Sequence, residues 1–491
     1  MTTLREIYGT SLSLLTDLYQ ITMVYGYWKQ RIAQREAVFH LFFRNHPFGG
    51  GFTVAAGLEQ VVDFVGNLRF DESDVAYLGT LTGNDGRPLF EPGFLDYLRE
   101  MRLTVDVDAV PEGTVVFPHQ PLLRVTGPLA ECQLLETPLL NLVNFQTLIA
   151  TKAARVCNAA GNEPVLEFGL RRAQGIDGSL AASRAAYLGG CAATSNVLAG
   201  KLLGIPVRGT HAHSWVMSFD DELTAFEQYA EAMPNNGVFL VDTYDTLEGV
   251  KNAVRVGCRL REQGHKMVGI RLDSGDLAYL SIEARKLLDE AGLTDAVIVA
   301  SNDLDERLIE SLHSQGAKIS VWGIGTKLVT AYGQPALGGV YKLGAIRSAE
   351  GRWLPKVKLS EQAIKTSIPG VLQVRRYAKK GRTVADMIFS ELLPPPERPT
   401  IVDPADPARR IQPSEADSFD DLLVPAIRAG RPVYESPPLS TIRDRTRQQL
   451  SSFHPTVLRI DNPHTYPVGL EEHLHDQRID LMRHQRGVKE V

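Results

Sequence analysis

The pattern of apolar and polar positions changes character near residue 160. Downstream, short runs rich in β-branched and aromatic residues each end in a polar cluster and lead into a stretch with helical spacing. The runs are "PVLEFGLRR" (164–172), "IPVRGTHAHS" (205–214), "GVFLVDTYDT" (237–246), "MVGIRLDSGD" (267–276), "VIVASNDLDE" (297–306), "ISVWGIGT" (319–326) and "LGGVYKLGAI" (337–346). Helices are predicted between them at 179–190, 247–264 and 280–292. Strand–helix alternation predicts a parallel sheet with crossover helices. Polar residues gathered at the strand ends predict a (β/α) barrel whose site is built from the loops leaving those ends. Seven candidate strands rather than eight make the barrel irregular, and a doubly wound open sheet is the structural alternative.

Residues 1–160 follow another pattern and predict an N-terminal α/β domain. A helix is expected in 14–28, with Thr16 as N-cap and Asp17 near its positive end. A strand, a glycine-rich turn and a helix follow, and 103–131 predicts a small module of short strands. The expected domains are therefore 1–160, a barrel over 161–346 and a C-terminal extension over 347–491 that packs back on the first. Within the extension, 392–420 is proline-rich and without a period, which predicts an extended connection, and 437–453 predicts one last polar helix.

Composition narrows the function classes. A chain of 491 residues with 44% hydrophobic and 22% charged residues is expected to be a soluble globular protein of two or three domains. A net charge of −6 gives no general footing for nucleic acid or an anionic membrane, so any bound anion needs a local site. Four scattered cysteines with no CxxC pair signal neither a disulfide framework nor a thiolate zinc site. The N-terminus lacks a signal-peptide pattern and no run approaches membrane-spanning length, so the expected location is cytoplasmic.

The polar clusters supply the candidate chemistry. In "GIGT", Gly323, Gly325 and Thr326 would let the backbone approach an anion, although a plain turn explains the glycines equally well. In "IRLDSGDL", alternation sends Arg271 and Asp273 to one side, a cation for carboxylate or phosphate beside a carboxylate for sugar hydroxyls or Mg²⁺; a helix cap at Ser274 or Asp276 is the structural alternative. Arg171 and Arg172 beside a glycine turn suit a phosphate or pyrophosphate. In "GTHAHS", an extended backbone would point His211 and His213 the same way. No further metal ligands stand nearby, which favours a packed or a catalytic histidine over a metal site.

The motifs "TDLYQ", "EFGLRR", "GTHAHS", "RLDSGD", "SNDLDE" and "GIGT", in that order, resemble those of the nicotinate phosphoribosyltransferases, from about Thr16 to Leu343. The resemblance implies an irregular α/β barrel with an N-terminal α/β domain, assembled as a homodimer whose sites combine both subunits. It implies transfer of phosphoribosyl from phosphoribosyl pyrophosphate to nicotinate, with ATP as co-substrate and Mg²⁺ required, in NAD salvage. It makes His213 the residue phosphorylated by ATP, with Ser214 beside nicotinate. Tyr19, from the partner subunit, and Phe168 would sandwich the pyridine ring. Arg171 would contact phosphate or pyrophosphate, and Arg271 and Asp273 would lie near the pyridine and ribose. Asn302, Asp303, Gly323, Gly325 and Thr326 would form ribose- and phosphate-binding loops. Asp273 or Asp303 would approach Mg²⁺. No role carries over to His211.

The nearest alternative is a nicotinamide phosphoribosyltransferase, whose site would offer an acidic acceptor to the amide; Ser214 and Arg271 favour the acid instead. A quinolinate phosphoribosyltransferase fits the length poorly. From another class, a catalytically silent sugar-phosphate sensor would bind the same ligands and form no product.

Overall fold

A computed structural model describes residues 4–362 and 366–487. The chain divides into two compact units, one of residues 149–335 and one that joins 1–148 to 336–491.

The 149–335 unit holds the rhythmic segment. Its strands are β1 (Val165–Glu167), β2 (Ala193–Thr194), β3 (Val238–Leu240), β4 (Gly269–Leu272), β5 (Val297–Ala300) and β6 (Val321–Ile324). They form one sheet in the order β2-β1-β6-β5-β4-β3, every pair parallel. A single parallel bridge from Thr194 to Val207 extends the row beyond β2. Strands covered on both faces read as continuous apolar runs, and this is why "VFL" and "VIVA" are almost entirely buried. The expected α/β alternation is therefore present.

Two details depart from the expected strand series. The 205–214 run contributes only the Val207 bridge, and the short strand Ala193–Thr194 takes the neighbouring place. The 337–346 run is no part of this sheet, because Val340–Arg347 pairs antiparallel with Glu36–Phe42 in the other unit.

The helices that follow the strands explain half of each acidic cluster. Asp245, Asp276 and Asp305 have extended backbones and accept from the N–H groups of Glu248, Tyr279 and Leu308 at 2.9, 3.0 and 2.9 Å. Each is an N-cap that satisfies an orphan donor of the first turn. The earlier acid of each cluster is left for other work.

The other unit carries a seven-stranded antiparallel sheet in the order 353–355, 340–347, 36–42, 123–128, 106–109, 424–428, 431–432. A six-stranded mixed sheet runs 410–411, 401–402, 468–471, 382–390, 372–379, 418–421. C-terminal strands thus share a sheet with N-terminal ones. The proline-rich 392–420 stretch, expected as an extended connection, holds Ile401–Val402 and Arg410–Ile411 and most of Ser418–Asp421. The first long helix, Leu18–Lys29, is capped by Asp17 and not by Thr16. The Asp17 backbone is extended, and its N–H donates to Gln20 Oε1 at 3.0 Å. In the core of this unit the buried Arg376 guanidinium pairs with Asp386 at 2.6 Å, and Tyr466 and Gln120 donate to the same carboxylate at 2.9 and 2.7 Å. A buried ion pair persists only when its remaining lone pairs are satisfied in this way. Among the described residues no helix is long and apolar enough to cross a membrane.

Candidate active site

Of the twelve residues assigned to the site from the sequence, nine lie in the 149–335 unit at or just beyond strand C-terminal ends, and His213 and Ser214 open a short helix after the Val207 bridge of the same unit. Ligands of parallel α/β sheets bind at such ends, where the loops converge. Tyr19 lies in the other unit, at the second position of helix Leu18–Lys29, and is 47% exposed. Its hydroxyl lies beside Thr137.

The first strand end seats an aromatic ring. Glu167 is buried, and its carboxylate accepts from Ser183 Oγ at 2.8 Å, from Thr194 Oγ1 at 2.5 Å and from the Gly169 N–H. That clamps the turn carrying Phe168, whose own N–H reaches Ile324 O at 2.8 Å. The Phe168 ring lies on Gly323, where any Cβ would stand 2.8 Å from two ring carbons. Gly323 is thus buried beneath the ring, and its missing side chain makes the seat. Gly325 and Thr326 are partly exposed at the turn that follows β6, and Arg171 stands exposed on the turn beyond Phe168.

Beside that ring lies the charged centre. The Arg271 guanidinium sits 5.8 Å from the Phe168 centroid, within cation–π range. Arg271 and Asp273 share a side as alternation requires, with Nη2 2.6 Å from Oδ1. Arg271 Nε donates to Ser301 Oγ at 2.8 Å and Nη1 to Thr210 Oγ1 at 3.0 Å, while Ser301 donates to Asp273. The Asp273 loop is held from β3, because its N–H and the Ser274 hydroxyl both donate to Asp242 Oδ2, at 2.9 and 2.6 Å. Asn302 and Asp303 are exposed beyond β5. Asn302 has φ +115°, a conformation rarely adopted by residues with side chains, and its Oδ1 accepts from the Asp303 N–H at 2.8 Å. Lys327 pins this loop through Asp305 at 2.7 Å.

The two histidines of "GTHAHS" separate. Ala212 is extended and a short helix begins at His213, so the rings no longer point the same way. His211 enters the core against Tyr229, Phe226 and Phe239, and its Nε2 accepts from the Leu240 N–H at 3.2 Å. His213 stays half-buried at the rim, its Nδ1 3.1 Å from Thr243 Oγ1, with Ser214 exposed beside it. Among the described residues no group of three or more His, Cys, Asp or Glu is placed to hold a metal.

Burial lowers the pKa of His211 to about 4. The unfolded chain takes up that proton near pH 6.5 and the native ring only near 4, so stability is lost as pH falls through this window. His211→Gln should therefore flatten the loss between pH 6.5 and 5 relative to the parent. The difference expected is on the order of 1 kcal/mol per pH unit in denaturant titrations, and equal slopes would show that the native ring takes up its proton as readily as the unfolded chain.

Glu167, Thr210, Asp242, Thr243 and Ser301 were not singled out from the sequence. All five stand within stretches quoted from the sequence, but the orienting role of each appears only when neighbouring strands meet.

Three sequence families cover this architecture. The nicotinate phosphoribosyltransferase N-terminal domain matches residues 14–144, the nicotinate phosphoribosyltransferase family 164–369 and its C-terminal domain 373–478. The chain is 45% identical over 471 residues to a nicotinate phosphoribosyltransferase of Bacillus subtilis, covering 94% of this chain and 93% of that one. It is 38% identical over 522 residues to the Homo sapiens protein of the same name, covering 94% and 95%. The crystal structure of human nicotinic acid phosphoribosyltransferase superposes with a TM-score of 0.82 at 35% identity, over 95% of this chain and 99% of that one.

Proposed function

The chain belongs to the nicotinate phosphoribosyltransferase family, and from that premise we propose that it converts nicotinate to nicotinate mononucleotide with ATP hydrolysis coupled through His213. Phosphoribosyl pyrophosphate supplies the sugar, and pyrophosphate leaves. The observation that carries this reading is the pairing of the Phe168 ring with the Arg271 guanidinium 5.8 Å away. A flat apolar surface beside a fixed cation suits an aromatic acid.

Each remaining group then has a task. Departure of pyrophosphate leaves positive charge on the anomeric carbon, which the Asp273 carboxylate is suited to stabilise. Arg171 and the backbone around Gly325 and Thr326 take the phosphates, and Asn302 and Asp303 take the ribose. The Asp273 and Asp303 carboxylates suit Mg²⁺, a hard cation that needs only one or two protein oxygens when phosphates supply the others. When bound, it would neutralise charge on the leaving group. His213 accepts the phosphoryl group of ATP, and Ser214 lies beside nicotinate. ATP use drives the reaction only if phosphorylated and free enzyme bind the other substrate differently.

The site is completed by a second copy of the chain, which contributes Tyr19 to the other face of the pyridine. The exposed Leu170, Ile176, Val197 and Leu198, 45–78% accessible, offer apolar area around the Phe168 turn for such a partner. Tyr19→Ala should raise the nicotinate KM several-fold while changing the ATP KM little, since ring stacking is worth about 0.5–1.5 kcal/mol beyond burial. An unchanged nicotinate KM would remove Tyr19 from the site.

A substrate panel tests the whole reading. Nicotinate with phosphoribosyl pyrophosphate, ATP and Mg²⁺ should yield mononucleotide, with nicotinamide a poor substitute. Preference for nicotinamide would make this an amide enzyme, and no product with either would make it a silent binder.

A further inference from the structure

The hydrogen bonds around Arg271 leave a specific remainder. A guanidinium carries five N–H donors in a fixed plane. Ser301 takes the one on Nε, Thr210 one on Nη1 and Asp273 one on Nη2. Among the described residues two donors remain, one on each terminal nitrogen. That number matches the two oxygens of a carboxylate. An amide matches it poorly, having one acceptor oxygen and an NH₂ that would face a cation.

We infer that Thr210 and Ser301 are positioning residues that set the preference for a carboxylate over an amide, by holding the Arg271 plane so that one donor on each terminal nitrogen stays free. This deepens the reading of Arg271 given above and rests on it. Both hydroxyls are oriented to accept from the guanidinium. Thr210 Oγ1 donates its own proton to His211 O at 3.1 Å, and Ser301 donates to Asp273 Oδ1. Their lone pairs are thereby turned toward Arg271. They also approach from different segments, Ser301 from the end of β5 and Thr210 from the loop before His213, so the plane is held at two separated points. Thr210 is in turn anchored through its neighbour His211, locked in the core by the Leu240 N–H. Ser301 is 3% exposed, which leaves water little chance to replace it.

The test is steady-state kinetics of the full-length enzyme with nicotinate and nicotinamide, using Thr210→Val, Thr210→Ser, Ser301→Ala and Arg271→Met. Thr210→Val and Ser301→Ala should each lower the acid-to-amide ratio of kcat/KM by about tenfold, the effect of losing one hydrogen bond to a charged group. Thr210→Ser keeps the hydroxyl and should restore the ratio to within about threefold of the parent. If nicotinamide turnover is too slow to measure, the nicotinate KM should rise more than the phosphoribosyl pyrophosphate KM. A parallel loss with both pyridines, ratio intact, would overturn the inference and leave the two hydroxyls as scaffold. If Arg271→Met lowers the ratio while both hydroxyl variants keep it, this inference alone fails. If Arg271→Met leaves the ratio untouched, the underlying assignment of Arg271 fails with it. Should Ser301→Ala not fold, the threonine pair decides.

Discussion

Replacing His213 with alanine is expected to reduce ADP formation linked to mononucleotide synthesis by at least about a thousandfold, because a covalent carrier has no substitute among the neighbouring side chains. The physical basis lies at the rim. His213 opens a short helix with its Nδ1 held 3.1 Å from Thr243, half-buried and within the same loop system as the Asp273 and Ser301 loops. Its sequence neighbour His211 provides the internal control. That ring is packed among aromatics with Nε2 occupied by a backbone N–H, so His211→Gln should lower stability at neutral pH without uncoupling ATP. Measurement of ADP and mononucleotide in the same reaction separates the two. Undiminished coupled hydrolysis in His213→Ala would remove the phosphoryl acceptor from the account.

The second large effect is expected at Arg271. Arg271→Met keeps much of the aliphatic stem against Phe168 and deletes the charge. A nicotinate carboxylate brought to that place would then lack its counter-charge, at a cost of roughly 3 kcal/mol, or about a hundredfold in kcat/KM for nicotinate. The deletion also releases Asp273 and Ser301 from their shared hydrogen bonds, so kcat should fall together with the rise in KM. Saturation with phosphoribosyl pyrophosphate should not restore the rate. A change below about threefold would mean that the acid is recognised elsewhere.

These effects could be located from the sequence because buried parallel strands announce themselves. "VFL" and "VIVA" read as apolar runs, and the polar clusters after them mark their C-terminal ends. The Arg271–Asp273 pair followed from two-residue alternation, which continues one position past the end of Gly269–Leu272. The same signal misassigned Val340–Arg347, a β-rich run followed by polar residues like those of the parallel sheet. Its partner is Glu36–Phe42, some three hundred positions earlier, and nothing local distinguishes the two sheets. Strands in 392–420 escaped notice for the opposite reason. Arg410–Ile411 and Ser418–Asp421 are exposed edge strands with no run of buried apolar residues, the latter also held by the Arg375–Asp421 pair and the Phe419 ring under Arg375.

The site was legible to the same depth. Groups with charge or aromatic character stood out, whereas those that orient them did not. Thr210 lies inside "GTHAHS", but nothing in that motif ties it to Arg271 sixty-one positions away, and Ser301 and Thr243 are ordinary hydroxyls until adjacent strands align their ends. The acidic clusters could not be divided from sequence either, because caps and site groups use the same residue type. Asp245, Asp276 and Asp305 proved to be caps, while Asp242 and Asp273 face the loops. The pair "HAH" misled through its assumed extension. A helix starting at His213 turned one ring outward and left the other in the core.

The proposed reaction depends on the His213 imidazole carrying phosphate from ATP. Incubating the enzyme with ATP and Mg²⁺, then mapping phosphate by mass spectrometry under alkaline conditions that preserve phosphohistidine, tests it directly. The account predicts an acid-labile phosphate on His213, discharged when nicotinate and phosphoribosyl pyrophosphate are added. Mononucleotide synthesis with tightly coupled ATP hydrolysis, while His213 stays unmodified at every time point, would contradict it.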